Sequence, residues 1–129
     1  KMDSAVDEIR KRFGFYSVQR GLMYRDRQLS SVNAKEELKK DGIDVRVVSM
    51  PSMELFDKQS AEYKESVLPN AVRKRVAVEA LSDFGWGRYV GLDGATVCME
   101  GFGASGPAAQ LFEKFGFTAE RVAETVKSL

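Results

Sequence analysis

Histidine is absent from this 129-residue chain. Its absence excludes histidine as a general acid or base, as a metal ligand, and as the base that activates a serine or cysteine nucleophile. The single cysteine, Cys98, cannot form a disulfide within the chain, which is typical of proteins from a reducing cytoplasm. No apolar run approaches the roughly 18 residues that a membrane-spanning helix needs. We therefore expect a cytoplasmic protein with no signal peptide and no membrane contact.

The charges are nearly balanced, since 20 basic and 19 acidic residues leave a net charge of +1. This balance argues against nucleic acid as a partner. The charges are unevenly spread, however: residues 1–40 carry ten basic and six acidic side chains, whereas residues 41–129 carry ten and thirteen. Such asymmetry fits either a basic arm for nucleic acid or a solvated charged face. It also indicates two unlike pieces in one chain.

The stretch from Gly42 to Phe56 predicts the fold class. A helical pattern ends at Gly42, and the β-branched run Val45–Val48 follows it and stops before Pro51. Such a run is typical of a strand that is buried on both faces of a parallel sheet. Helix, glycine, strand, loop and helix form the repeating unit of α/β proteins. We predict one α/β domain over residues 1–129, with an open, mostly parallel or mixed sheet and helices on both faces.

Local patterns predict the other elements of the chain. Before Gly42 they are a helix over Asp3–Phe13, an extended segment over Phe15–Tyr24, and a helix through Leu29, Val32, Ala34 and Leu38. In the middle of the chain they are helical turns capped by Ser52 or Ser60 and closed at Leu68-Pro69, a strand over Arg75–Ala80, a tight turn or short helix over Phe84–Tyr89, and a turn over Gly91–Gly94. The last elements are a strand over Ala95–Met99, a helix with Ser105 or Gly106 near its cap that ends at Gly116, and a helix capped by Thr118.

Three segments carry a resemblance to a known family: GIDVRVVSMPSMELFDKQSAEYKESVLP, RVAVEALSDFGWGRYVGLDGATV and FGASGPAAQLFEKFGFTAERVAETV. From about Asn33 to Leu129 the chain resembles the C-terminal domain of transketolase. The resemblance implies a small, open, mostly parallel sheet covered by helices, and a structural role in dimer assembly.

Transketolases transfer two-carbon ketol units between sugar phosphates, using thiamine diphosphate and a divalent metal. The resemblance implies that their catalytic and cofactor residues lie in the two domains that precede this one. We therefore expect no catalytic, cofactor-binding or metal-binding residue in this chain, and no enzymatic activity.

The segment AVDEIRKRFGFYSVQRGLMYRDRQLSSVNAKEE carries a second resemblance. From Met2 to about Glu37 the chain resembles the C-terminal end of a Y-family translesion DNA polymerase. In that family the helix belongs to the little finger domain, which grips the DNA backbone. Only a fragment of that domain is present, so we expect no grip on DNA. The two resemblances overlap at residues 33–37, which predicts a recombined or engineered chimera.

The first strand of the transketolase domain and its Gly-Ser-Glu turn are missing at positions 21–27. We predict that Ser17–Tyr24 replaces that strand, with Leu22 and Tyr24 on one face and Met23 on the other. Without a replacement, the sheet would expose backbone donors and acceptors at a cost of about several kcal/mol. The helix that precedes the replacement strand would cover the sheet or pair with a second chain. Exchange of this segment predicts a homodimer.

The loop from Gly101 to Pro107 is a candidate anion site, formed by the backbone N–H groups of Gly103, Ala104 and Ser105 before the predicted helix. The loop lacks the lysine of a P-loop and does not match a GxGxxG spacing. A plain turn between a strand and a helix is the alternative.

Two basic or polar segments are further candidate sites. Arg73–Arg75 with Arg88 predicts a basic patch beside Trp86 and Tyr89, or else a solvated helix end that enters a strand. Gln28–Val32 resembles the Gln-Leu motif by which bacterial polymerases hold their sliding clamp, but it lacks the terminal Leu-Phe pair.

Neither the cysteine nor the carboxylates predict a reactive centre. Cys98 lies in a predicted strand and is interpreted as a small core residue rather than a reactive thiol. A group of carboxylates lacks the spacing of metal ligands: Glu54, Asp57, Glu62 and Glu65.

The sequence thus predicts a non-catalytic folded domain. A fragment that belongs to a transketolase enzyme is one alternative. A DNA-binding module derived from a repair polymerase is the other.

Overall fold

The computed structural model describes residues 31–129. Its helices are α1 (Ser31–Lys40), α2 (Met53–Asp57), α3 (Ala61–Val67), α4 (Gly87–Val90), α5 (Ala108–Lys114) and α6 (Ala119–Lys127), and its strands are β1 (Val76–Glu79) and β2 (Ala95–Cys98). The described residues divide into two compact units, one of residues 48–67 and one of residues 31–47 with 68–129. None of the helices described is long and apolar enough to cross a membrane.

A parallel pair of strands is the centre of the larger unit. β1 and β2 pair in register from Val76 opposite Ala95 to Glu79 opposite Cys98. Both were predicted as strands, and α4 with its flanking turns makes the crossover between them. The backbone contacts continue beyond the strands, because the Met99 N–H donates to the Leu81 carbonyl at 2.8 Å. The unit is therefore a small α/β arrangement with a parallel sheet, as predicted.

Helix α6 joins the sheet to α1. It contacts α1, β1 and β2, and its sequence places apolar residues at helical spacing along one face. The buried apolar residues of these four elements are Ala34, Leu38, Ala77, Val97, Ala119, Val122 and Ala123. Leu38 is only 1% exposed. As predicted, Thr118 caps α6, since its hydroxyl accepts a hydrogen bond from the Arg121 N–H at 3.2 Å.

Helices α1 and α5 end in the same way, each at a glycine with a positive φ. Gly42 (φ 76) follows α1 and Gly116 (φ 77) follows α5. The next N–H in each case reaches back to the helix: Ile43 donates to the Leu38 carbonyl at 2.9 Å, and Phe117 donates to the Phe112 carbonyl at 2.8 Å. These are Schellman motifs, which satisfy carbonyls that the helix leaves without partners. Both glycine stops were predicted.

An apolar contact accompanies the second of these motifs. The rings of Phe112 and Phe117 are both buried and meet edge to face, with centroids 5.9 Å apart. Such a contact between the third-last helical residue and the residue after the glycine is a common part of the motif. It fixes the direction in which the chain leaves α5 and enters α6.

The unit of residues 48–67 consists of two short helices, and serines cap both of them. Ser52 Oγ accepts a hydrogen bond from the Leu55 N–H at 3.2 Å, and Ser60 Oγ accepts one from the Tyr63 N–H at 3.3 Å. The sequence predicted Ser52 or Ser60 as a cap, and in the structure both serines act as caps. The rings of Phe56 and Tyr63 lie 6.4 Å apart. A backbone hydrogen bond, and a second from Ser60, lower the pKa of the exposed Glu62.

The strand predicted at Val45–Val48 is wrong, because residues 43–50 belong to no helix or strand. Val45, Val47 and Val48 are half-buried rather than fully buried. Branched side chains show that a segment suits a pleated surface, but a strand forms only where a neighbouring edge supplies hydrogen bonds. The segment expected to supply that edge, Ser17–Tyr24, lies outside the described residues, as does the predicted helix Asp3–Phe13.

Helix α5 begins close to the predicted position. Its cap residue is Pro107, which directly follows Ser105 and Gly106 and makes no side-chain hydrogen bond. Proline serves here because its fixed φ suits a helix entrance and because an N–H at this point would find no partner within the helix.

Candidate functional site

The carboxyl edge of the strand pair is the candidate functional site. In open α/β sheets, ligands bind beyond the carboxyl ends of the strands. Here the chain leaves β1 and β2 on the same side, because the strands are parallel and in register. A shallow depression of about 420 Å³ lies between the two departing segments and is lined by Ser82, Asp83, Thr96, Cys98, Met99, Glu100 and Gly101.

Carboxylates dominate the charge of this depression. Asp83 and Glu100 are the charged residues of its lining, and neither is balanced by a lining lysine or arginine. This environment raises the pKa of the Cys98 thiol. Partial burial is the largest cause, and the nearby charges of Asp83 and Glu79 raise the pKa further. The thiol therefore stays protonated at neutral pH, which favours the interpretation of Cys98 as a packing residue.

The segments that follow the two strands carry large apolar side chains that are exposed. Phe84 is 91% exposed and follows β1, and Phe102 is fully exposed and follows β2. Leu81, next to the depression, is also exposed. Exposed apolar side chains that are scattered singly are normal on a protein surface. The carboxylates of the depression make this edge unsuited to an anionic partner.

The predicted anion site lies further along the same edge. Gly103, Ala104 and Ser105 are exposed, and they lie between β2 and the start of α5 at Ala108. Helix α5 is only seven residues long and begins behind a proline, which has no N–H to offer. The anion site remains a prediction.

The predicted basic patch is partly used inside the fold. Arg75 is half-buried and donates to four backbone carbonyls: Nε to Val72 at 2.7 Å, Nη1 to Tyr89 at 2.7 Å, and Nη2 to Pro69 at 2.7 Å and to Leu68 at 3.2 Å. The guanidinium thereby ties the segment before β1 to the end of α4. Sequence reasoning missed this role.

The other arginines of the patch also have partners. Arg73 forms an ion pair with Asp93. The guanidinium of Arg88 lies 4.9 Å from the centroid of the Tyr89 ring, and Trp86 meets the same ring edge to face. The three arginines of the predicted patch thus contact groups of the protein itself.

No metal site appears in the part of the chain that the structure describes, since residues 31–129 contain no group of three or more acidic or cysteine side chains that could hold an ion. The four carboxylates considered from the sequence lie in or beside α2 and α3. Most of the clamp-like segment, residues 28–30, lies outside the described residues, and α1 begins at Ser31.

Parallel strands joined by a crossover, with helices packed against them, define this unit as an α/β domain. The sequence matches the model of the transketolase-like TK C-terminal domain over residues 29–118. The chain belongs to this family. The resemblance predicted from residues 33–129 is thereby confirmed, whereas residues 1–28 lie outside the matched range.

Curated relatives agree with this assignment. A transketolase of Streptococcus pyogenes is 54% identical over 99 residues, which cover 77% of this chain and 14% of the relative. A chloroplastic transketolase of Solanum tuberosum is also 54% identical over 99 residues, covering 77% of this chain and 13% of the relative. The chain thus spans about one seventh of the length of these relatives.

Solved structures give the same result at the level of the fold. A transketolase from Leishmania mexicana superimposes with a TM-score of 0.69 at 47% identity, covering 77% of this chain and 14% of that one. A variant transketolase from Pichia stipitis gives a TM-score of 0.69 at 44% identity, covering 76% of this chain and 14% of that one.

Proposed function

We propose that this chain is a non-catalytic domain that serves a structural role in assembly, as part of a transketolase-like protein. The observation that carries the proposal is the extent of the match, because 99 matched residues correspond to 14% of a transketolase of Streptococcus pyogenes and the family match is to a C-terminal domain.

The described residues do not fit thiamine diphosphate. The depression at the carboxyl edge carries Asp83 and Glu100, whose charges would repel a diphosphate. Residues 31–129 also offer no acidic cluster for the divalent metal that accompanies the cofactor in transketolases. We therefore assign no step of ketol transfer to this chain.

Calorimetry and an activity assay together test this proposal. The chain is titrated with thiamine diphosphate and Mg²⁺, and is then assayed for ketol transfer between sugar phosphates, with a full-length transketolase as the positive control. We expect no saturable heat and no turnover from the chain. Saturable binding together with turnover would instead support the alternative, an active transketolase fragment.

We further propose that residues 2–37 derive from a Y-family DNA polymerase and that the chain is a chimera. The resemblance of AVDEIRKRFGFYSVQRGLMYRDRQLSSVNAKEE supports this origin. The excess of basic residues in positions 1–40 makes DNA binding the second candidate function.

A gel shift at low salt separates the two functions. A structural domain gives no complex with duplex or single-stranded DNA at micromolar protein. A DNA-binding module gives a complex that weakens steeply as salt is raised, because phosphate contacts release counterions. A variant in which Arg10, Lys11 and Arg12 are changed to Ser serves as the matched control, since it should abolish any complex formed through the basic segment.

The proposal also includes a cytoplasmic location, supported by the single cysteine, and a homodimer formed by exchange of the N-terminal segment. A truncated chain that begins at residue 29, compared with the full chain by sedimentation, tests the exchange. Loss of the dimer on truncation is expected, and a dimer that survives truncation would contradict it.

A further inference from the structure

Two Asp-Gly dipeptides occur in the chain, Asp41-Gly42 and Asp93-Gly94. Aspartate before glycine can cyclise, because glycine has no Cβ to obstruct the approach of its backbone nitrogen to the carboxyl carbon. The side chain of Asp41 is 50% exposed and pairs with Lys127, and that of Asp93 is 48% exposed and pairs with Arg73. Exposure and charge therefore do not distinguish the two dipeptides.

Backbone hydrogen bonds hold the first dipeptide in place. The N–H groups of Asp41 and Ile43 both donate to the Leu38 carbonyl, at 3.1 and 2.9 Å, and the Gly42 N–H donates to the Lys39 carbonyl at 3.1 Å. The nitrogen that would attack the carboxyl is thus fixed in the turn that ends α1. Ring closure there requires the Schellman motif to open first.

The second dipeptide is held less tightly at the attacking nitrogen. In the described part of the chain, neither Asp93 nor Gly94 donates a backbone hydrogen bond of ordinary geometry, and the next donor is Ala95, whose N–H lies 2.9 Å from the Arg75 carbonyl. Gly94 is packed at its Cα, since the carbonyl oxygens of Val90 and Arg75 occupy the place of a Cβ. This packing slows ring closure relative to an unfolded chain, but no hydrogen bond of the Gly94 nitrogen has to break first.

We propose that Asp93-Gly94 is a site of spontaneous aspartate isomerisation in the folded chain, and that Asp41-Gly42 is protected. The Gly94 nitrogen attacks Cγ of Asp93 and loses its proton, and a carboxyl oxygen leaves as water, which produces a cyclic succinimide. Water then opens the ring at either carbonyl. Opening at Cγ restores aspartate, and opening at the main-chain carbonyl gives an isoaspartyl linkage. Water is the only co-reactant, and nothing is oxidised or reduced.

The product changes the fold at the entrance to β2. An isoaspartyl linkage lengthens the main chain by one carbon beside Gly94, where a Cβ would already lie 2.5 Å from the Val90 carbonyl oxygen. The backbone has to shift there, and the hydrogen bond from Ala95 to the Arg75 carbonyl shifts with it. We expect the modified chain to melt at a lower temperature than the unmodified chain.

Peptide mapping of the full chain tests the proposal after incubation at neutral pH. Trypsin separates the two dipeptides, because it cleaves after Lys40 and Arg46 around the first and after Arg88 and Lys114 around the second. Mass spectrometry with electron-transfer fragmentation distinguishes isoaspartyl from aspartyl peptides. We expect isoaspartate to accumulate about tenfold faster at position 93 than at position 41, a factor that corresponds to the net strength of one or two backbone hydrogen bonds.

The chain unfolded in concentrated urea is the reference, because both dipeptides lose their surroundings there and should isomerise at similar rates. Asp93→Glu and Asp41→Glu are matched variants that keep the negative charge, and glutamate closes its larger ring far more slowly. An enzyme that methylates isoaspartyl carboxyl groups reports the total in each folded variant. Asp93→Glu should remove most of the label, and Asp41→Glu should leave it unchanged. Circular dichroism establishes that both variants are folded.

Two results would overturn the proposal. Isoaspartate that accumulates at position 41 as fast as at position 93 in the folded chain would show that the backbone hydrogen bonds do not decide the site. A folded chain without isoaspartate at position 93 would show that the packing of Gly94 protects the second dipeptide as well.

Discussion

Arg75 shows how one side chain holds together parts of the backbone that no strand or helix joins. Its guanidinium supplies hydrogen bonds to the carbonyls of residues 68, 69, 72 and 89. The fork of N–H groups in arginine can serve several acceptors at once, whereas the compact ammonium of a lysine cannot. The carbonyls of residues 68, 69 and 89 are partly buried, and all four would lose this partner together if the side chain were removed.

We predict that Arg75→Ala lowers the free energy of unfolding by about 2–3 kcal/mol, because hydrogen bonds from charged donors are worth about 1.5–3 kcal/mol each and are not additive. Urea denaturation of the dilute protein measures the change. Arg75→Lys should recover only part of it. Lys74→Ala, at an exposed neighbour, is the control and should stay within about 0.5 kcal/mol of the parent. Equal effects of the alanine variants would refute the role of Arg75.

Gly94 sits where the backbone approaches too closely for any side chain. A Cβ atom at this position would lie 2.5 Å from the Val90 carbonyl oxygen and 2.6 Å from the Arg75 carbonyl oxygen. Both obstacles are backbone atoms, so the turn before β2 would have to move. The Ala95 N–H, which donates to the Arg75 carbonyl at 2.9 Å, would move with it.

We predict that Gly94→Ala destabilises the fold by about 1–3 kcal/mol, the usual cost of overpacking. Thermal unfolding followed by circular dichroism measures the loss. Gly101→Ala is the matched control, because a Cβ there meets nothing within 4 Å. The explanation fails if the two substitutions lower the melting temperature equally.

Glycine stops act at the scale of the helix. The left-handed backbone at Gly116 (φ 77) turns the chain from α5 towards α6 and brings Phe117 against Phe112. Gly116→Ala is expected to cost about 1–2 kcal/mol, because a Cβ atom disfavours this conformation. The control is Gly87→Ala in α4, where φ is ordinary and the space is open, so that alanine should be neutral or slightly stabilising. Chemical denaturation measures the free energy of unfolding of both variants. A Gly116→Ala variant that is as stable as the parent chain would contradict the prediction.

Elements that depend on neighbouring residues in the sequence were predictable. Caps such as Ser52 and Thr118 act within three residues, so the sequence shows both the donor and the acceptor. Strands β1 and β2 could be predicted because their branched residues lie between clear turn signals. Val45–Val48 has the same composition but forms no strand, since pairing depends on what lies beside it in space.

The candidate site was predicted less completely than the fold. The sequence placed Cys98 within a strand and the loop of Gly103–Ser105 between that strand and the next helix. It could not bring Asp83 and Glu100 to one depression, because they follow different strands and only the parallel register aligns them. The role of Arg75 could not be predicted either, because its hydrogen-bond acceptors are backbone carbonyls, which every residue has.

At the scale of the whole unit, an ion pair joins the last turn of α6 to the segment that follows α1. Lys127 Nζ lies 2.5 Å from Asp41 Oδ2. Hydrogen bonding to Asp41, followed by its charge, raises the pKa of Lys127 above the ordinary lysine value of 10.5. A raised lysine pKa means that the folded state holds the proton more tightly than the unfolded state. The contribution to stability is therefore complete below pH 10.5 and is lost as the pH rises through the folded pKa.

We predict that Lys127→Met melts at a lower temperature than the parent chain near neutral pH, and that the difference disappears as the pH is raised beyond the pKa of Lys127 in the folded chain. Differential scanning calorimetry across this range measures both melting temperatures. Lys39→Met, in the last turn of α1, controls for the general loss of a surface charge. If the difference in melting temperature between Lys127→Met and the parent is the same at every pH, the ion pair is not the cause of that difference.

The bonding of Arg75 also bears on how this domain can diverge. Its acceptors are main-chain oxygens. The amino acids at positions 68 and 72 can therefore be substituted without loss of these hydrogen bonds, provided that the path of the polypeptide is kept. Position 75 should not tolerate substitution in this way, because arginine alone supplies a planar fork of donors. In a saturation library selected for folding, the guanidinium should therefore persist among neighbours that vary widely.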